Sequence, residues 1–193
     1  PLDYTVEYFL KAVTSAIGNI TPSTEWTEEF LDWSAPASRP RSMTQNSGFE
    51  WLSEGKAHGE IIGGCISSIM HLRRMDFWPS YDRKIVFLEI PEGESPGKGL
   101  SFDKVDSYLT DLENSGVFTE AAALIFGRPF AYSESDTKKL KAALASIGKE
   151  YSIPVLFNAD IGHTDPMITI PLGVGALVDS EKNSFEINES GIS

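Results

Sequence analysis

Residues 153–173 read Ile153-Pro154-Val155-Leu156-Phe157-Asn158-Ala159-Asp160-Ile161-Gly162-His163-Thr164-Asp165-Pro166-Met167-Ile168-Thr169-Ile170-Pro171-Leu172-Gly173. The opening apolar run has the length and composition of a buried strand. A polar turn follows and carries His163. Pro166 biases Asp165 towards an extended backbone. Met167–Ile170 then reads as a second short strand, stopped by Pro171 and Gly173. A histidine on a short loop between two buried strands can be held and aimed, and loops on rigid scaffolds carry a large share of catalytic groups.

The pattern outward from this stretch is α/β. Ile85–Ile90 is a strongly apolar strand interrupted by Glu89, and Ala121–Phe126 is another. Glu60-Ile61-Ile62 is a strand entering the glycines Gly63 and Gly64. Helices are expected at Asp3–Ala16, Ile66–Leu72, Phe102–Leu112 and Ser135–Ile147. Asp3 or Thr5 caps the first of these and Gly18 ends it; Ser101 caps the third and Gly116 ends it. Val6, Phe9, Leu10 and Val13 recur at helical spacing and give the first helix an apolar face. Strands alternating with helices from residue 59 to about 158 form a parallel-sheet pattern. Gly175–Asp179 and Ser184–Asn188 add a closing hairpin. Residues 19–57 are broken by Pro22, Pro36 and Pro40 and read as irregular. They nevertheless hold Trp26, Trp33 and Trp51, which mark packing or a site rather than disorder.

Composition narrows the function. The chain has 193 residues, 41% of them hydrophobic, and a formal net charge of −12. That charge argues against binding nucleic acid through phosphates and against docking on anionic membranes. No apolar run is long enough to cross a bilayer as a helix. One cysteine, Cys65, excludes an internal disulfide and fits a cytoplasmic setting; with three histidines it makes a structural zinc site improbable. No metal or cofactor is expected.

Two residues are candidates for chemistry. Glu89 sits in a run that otherwise reads as buried, and a buried carboxylate needs a partner. It either marks where the strand leaves the core or accepts a hydrogen bond from a histidine, as the acid of a Ser-His-acid triad does. His163 is the matching base, although Asp160 and Asp165 flank it and compete for its ring. His58 and His71 read as surface or packing residues. No serine lies in a strand-turn-helix elbow: Ser47, Ser67, Ser68 and Ser190 all lack that context. Cys65, after two glycines at a helix start, is an alternative nucleophile.

Several stretches together resemble the C-terminal part of the LD-carboxypeptidase family of serine peptidases, in particular its microcin C self-immunity branch. They are Tyr4–Phe9, Trp26–Trp33, Gly55–Gly64, Phe87-Leu88-Glu89, Leu124–Gly127, and Asp160–Pro166 with Thr169–Gly173. The resemblance implies a swivelling β/β/α-type domain (residues 19–193) behind an inter-domain linker helix (residues 1–18). It implies that Glu89 is the triad acid, His163 the base and Trp33 a contact for the nucleotide part of a substrate. Glu89 and His163 are 74 residues apart, a long interval for the family, and the insertion Pro91–Gly99 accounts for it. Relatives often carry Asn where this chain has Cys65. The family's nucleophilic serine and oxyanion hole belong to an N-terminal domain absent from this chain. The resemblance therefore implies that the chain alone is inactive. With its N-terminal partner domain it would cleave LD-peptides or microcin-like peptidyl nucleotides, as a homodimer. The alternative is a non-catalytic binding domain that keeps the scaffold. Glu89 and His163 within about 2.6–3.2 Å at an open surface favours the enzyme; a packed-away His163 favours the binding domain.

Overall fold

Two runs buried on both faces, Ile85–Glu89 and Ala123–Gly127, form the middle of the sheet in the computed structural model, which describes residues 2–31, 34, 39–95 and 97–192. In chain order the elements are α1 (Asp3–Thr14), β1 (Ala16–Asn19), β2 (Glu25–Trp26), β3 (Thr44–Gln45), β4 (Glu50–Ser53), β5 (Lys56–Cys65) and α2 (Ile66–Met70). Then come β6 (Ile85–Glu89), α3 (Phe102–Asn114), α4 (Val117–Glu120), β7 (Ala123–Gly127), α5 (Glu134–Tyr151), β8 (Val155–Ala159), β9 (Gly175–Asp179) and β10 (Ser184–Ser190). The main sheet has the order β1-β10-β9-β5-β6-β7-β8-β4, and β2 pairs with β3 apart from it.

Strands β5, β6, β7 and β8 are parallel and adjacent in sequence order. Right-handed crossovers between strands laid down in one direction put all the connecting helices on one face. That face holds Val86, Leu88, Leu124, Phe126, Val155 and Phe157 against Val105, Leu109, Leu112, Leu140 and Leu144 of the helices. The opposite face holds Ile61, Ile85, Phe87, Ile125 and Leu156. It is covered by Tyr8 and Ala12 of α1 and by Phe185, Ile187 and Val178 of the antiparallel strands, which curl over it. Because both faces are covered, the central strands read as continuous apolar runs rather than alternating ones.

Several expectations are corrected. Met167–Ile170 pairs with no strand; the segment is held by the Ile168 N–H donating to the Asp160 carbonyl (2.9 Å) and the Met167 N–H donating to Thr5 Oγ1 (3.2 Å). Its β-branched composition fits burial as well as strand pairing, since Ile168 is in the core. The irregular segment contains β2, β3 and the edge strand β4, which pairs antiparallel to β8. Trp51 lies on β4 and packs into the α1-side core, while its indole N–H donates to Asn183 Oδ1 at 2.8 Å. Helix α1 stops at Thr14 with Ser15 as C-cap, and Gly18 falls inside β1 at a register shift. Neither Asp3 nor Thr5 caps α1; Leu2 holds that position without a side-chain bond. Val6, Phe9, Leu10 and Val13 face outward, between 38% and 52% exposed, and α1 buries Tyr8 and Ala12 instead.

Capping differs between the two long helices. Ser133 Oγ accepts from the Asp136 N–H (3.1 Å) at the start of α5, whereas Ser101 precedes α3 without a side-chain bond. Ser133→Ala is expected to destabilise the fold by about 1 kcal/mol, and Ser101→Ala to leave it nearly unchanged, when both are compared in urea unfolding.

Candidate active site

The carboxyl ends of β5, β6, β7 and β8 lie side by side, the position where open α/β sheets place ligands. Cys65 ends β5 and is the register partner of Glu89, which ends β6. Gly127 ends β7, and the His163 turn leaves β8 just after Ala159. Glu89 is both the last residue of its strand and buried, 6% exposed. Its Oε2 lies 2.8 Å from His163 Nδ1. The His163 side chain remains 40% exposed although its Nδ1 is bonded to a buried carboxylate. The two sequence candidates meet, at an open surface and within hydrogen-bond reach.

Glycines make the approach possible. Gly162 has φ +109, and a Cβ there would come within 2.8 Å of Glu89 Oε2 and 3.0 Å of its Cβ. A side chain at Gly127 would strike the Ile161 carbonyl oxygen and come within 3.2 Å of the Glu89 Cβ. The turn therefore folds back over the end of β7 directly onto the carboxylate.

The flanking aspartates do other work. Asp160 is 1% exposed and accepts from Arg128, from the Ser23 N–H and hydroxyl, and from the Tyr4 hydroxyl. Asp165 pairs with Arg41, and its backbone exchanges two hydrogen bonds with Thr27 (2.7 and 2.9 Å). Glu29 binds Arg39 and the Ser42 N–H, so the segment beyond Thr27 is tied back on itself. Trp33 lies within this segment but outside the described residues. Sequence reading had no signal for Arg128, the buried partner of Asp160, because its role depends on contacts between strands.

Among the other candidates Cys65 is a neighbour of the pair, as the β5 register partner of Glu89. Cys65 is a half-buried free thiol with its sulfur 3.2 Å from Ser67 Oγ. Ser47 lies 3.5 Å from Asn158 Nδ2, and Ser190 ends β10. His58 and His71 are exposed. Among the described residues no three His, Cys, Asp or Glu side chains are grouped to hold a metal, and no helix is long and apolar enough to cross a membrane.

Residues 58–178 match the LD-carboxypeptidase C-terminal domain. The chain belongs to that family. It is 31% identical over 176 residues to the putative carboxypeptidase YocD of Bacillus subtilis, covering 89% of this chain and 50% of the relative. It is 26% identical over 198 residues to the microcin C7 self-immunity protein MccF of Escherichia coli, covering 100% of this chain and 55% of that protein. The structure of MccF in complex with glutamyl sulfamoyl guanosine superposes with a TM-score of 0.83 at 26% identity, over 97% of this chain and 56% of that one. The mixed α/β architecture with its curled sheet is thus the fold of MccF-like proteins. The chain spans about half the length of the curated relatives it matches.

Glu89 raises the His163 pKa above the ordinary 6.5, chiefly through the hydrogen bond, while partial burial pulls it down. A histidine whose folded pKa is raised stabilises the fold most below the unfolded value, and that contribution fades as pH climbs through the folded one. An NMR titration of the His163 ring should therefore give a midpoint above 6.5, and Glu89→Gln should lower it. The stability difference between wild type and Glu89→Gln should shrink as pH rises above that midpoint.

Proposed function

We propose that this chain is the half of a serine peptidase that supplies the base and the acid, and that the 2.8 Å contact between Glu89 and His163 is the observation that carries the reading. Residues 1–18 form the inter-domain linker and residues 19–193 the C-terminal domain. The nucleophilic serine and the oxyanion donors belong to an N-terminal domain of the same protein. In the assembled site the serine Oγ attacks the amide carbonyl carbon while His163 Nε2 takes its proton. Glu89 holds the ring by Nδ1 and stabilises the imidazolium. The imidazolium then protonates the leaving amine, and water, activated by the same base, releases the acyl group as a carboxylic acid.

The exposed face of α1 supports the two-domain reading. Val6, Phe9, Leu10 and Val13 are an unusual amount of apolar surface for one short helix to leave in water, and such patches mark interaction sites. Docking of the N-terminal domain would cover them. Without that domain the chain has no activated serine, so it is inactive alone.

A peptidyl nucleotide is the favoured substrate class, with an LD-linked peptide second. The relative MccF is known in complex with glutamyl sulfamoyl guanosine. In this chain Thr27 and Arg41 are both tied to Asp165, two residues beyond His163. Trp33 is the proposed stacking contact for the base, since an indole face accepts any base without hydrogen-bond readout. The whole protein acts in the cytoplasm and as a homodimer.

The intact protein, assayed with a peptidyl nucleotide and with an LD-linked peptide, should cleave the first faster. His163→Ala should lower kcat by about 10⁶-fold and Glu89→Gln by about 10⁴-fold, following the pattern of triad deletions. Folded intact protein that turns over neither substrate would leave a binding domain on a hydrolase scaffold.

A further inference from the structure

The His163 turn is held from beneath by a group that the proton-transfer scheme does not use. Arg128 follows Gly127 at the carboxyl end of β7 and is 3% exposed. Its Nη2 donates to Asp160 Oδ1 at 2.6 Å, its Nε to Asn158 Oδ1 at 3.1 Å and its Nη1 to Thr164 Oγ1 at 3.3 Å. The Trp26 ring covers the guanidinium at 4.9 Å. One planar fork thus touches both legs of the turn, at residues 158 and 160 on the way in and at 164 on the way out, with His163 between them.

Asp160 ties this fork to the rest of the domain. Its Oδ2 accepts from the Ser23 N–H (2.7 Å) and the Tyr4 hydroxyl (3.2 Å), and its Oδ1 also accepts from the Ser23 hydroxyl (2.7 Å). Its backbone carbonyl accepts from the Ile168 N–H at 2.9 Å, closing the base of the loop. Burying an ion pair this completely gives little net stability over apolar replacements of the same shape. What it does give is a fixed geometry, because a guanidinium fork binds in one plane and at set spacings.

We propose that Arg128 and Asp160 are positioning residues whose buried ion pair sets the 158–164 turn so that His163 meets the Glu89 carboxylate. The proposal rests on His163 acting as the base. A displacement of the ring by about 1 Å is enough to cost about 10²-fold in rate.

The test uses the full-length protein with Arg128→Lys, Asp160→Asn, Thr164→Val and the double variant Arg128→Met/Asp160→Leu. Arg128→Lys keeps the charge and loses the fork; its kcat is expected to fall about 10²-fold with KM little changed. Its His163 ring should titrate nearer the ordinary histidine value, measured by NMR. The double variant, which buries no unpaired charge, should recover part of the melting temperature lost in the single variants, the Ser23 and Tyr4 donors still lacking their acceptor, and should still lack the kcat. Thr164→Val should show the same signs more weakly, and decides the matter if Asp160→Asn does not fold. Variants that melt earlier yet keep wild-type kcat and His163 titration would overturn the proposal, leaving the pair a purely structural contact. If wild type turns over neither substrate, the peptidase reading fails. The His163 titration then decides the positioning claim by itself: a midpoint unmoved by Arg128→Lys overturns it.

Discussion

A carboxylate buried at the end of a central strand has to be satisfied, and the candidate site is organised around that requirement. Glu89 sits on β6 with β5 and β7 on either side, almost out of reach of water. Leaving it unpaired would cost several kcal/mol or force it to take up a proton. The partner arrives from the far side of β7, on the turn that follows β8. To reach across, the backbone must pass over Gly127 and touch the carboxylate at Gly162, and both positions lack the Cβ that would block it. The result is an imidazole with one nitrogen committed to a buried acid and its side chain still partly in solvent. That is the arrangement a general base needs if its proton is to move in one direction.

The two faces of the sheet divide the labour. The helical face is a closed apolar core and gives the parallel strands their rigidity. The other face is assembled from α1, the curled antiparallel strands and the returning loop, and it holds the polar network around Asp160. That network joins Tyr4 on α1, Ser23 before β2, Arg128 after β7 and Thr164 beside His163. The helix with the exposed apolar face is therefore in hydrogen-bond contact with Asp160, at the base of the His163 turn. A domain that docks on α1 would rest on the same scaffold that carries His163.

Where burial decided secondary structure, the amino-acid sequence was a good guide. Ile85–Glu89, Ala123–Gly127 and Val155–Ala159 are strands because their apolar runs are too short for helices and are covered on both sides. Glu89 and His163 stood out as polar residues in apolar or rigid settings, and they meet. The failures have physical causes. The β-branched run Met167–Ile170 is apolar because Ile168 enters the core, and its backbone N–H groups bond to Asp160 and Thr5 rather than to a strand. Edge strand β4 is only half-buried along its length, so it leaves no clear alternation to read. The apolar spacing in α1 is real, but it faces out of this chain, and no single-chain pattern distinguishes an outer apolar face from an inner one. Arg128 was invisible because its meaning depends on three residues that lie 30 to 36 positions away in sequence.

The central claim is that His163 and Glu89 activate a serine that this chain does not itself contain. It is tested most directly by treating the full-length protein with a fluorophosphonate probe and locating the label by peptide mass spectrometry. The account predicts one labelled serine outside residues 1–193, modified quickly in wild type and far more slowly in His163→Ala. A label on Cys65 or on a serine of this chain, or labelling indifferent to His163, would contradict it.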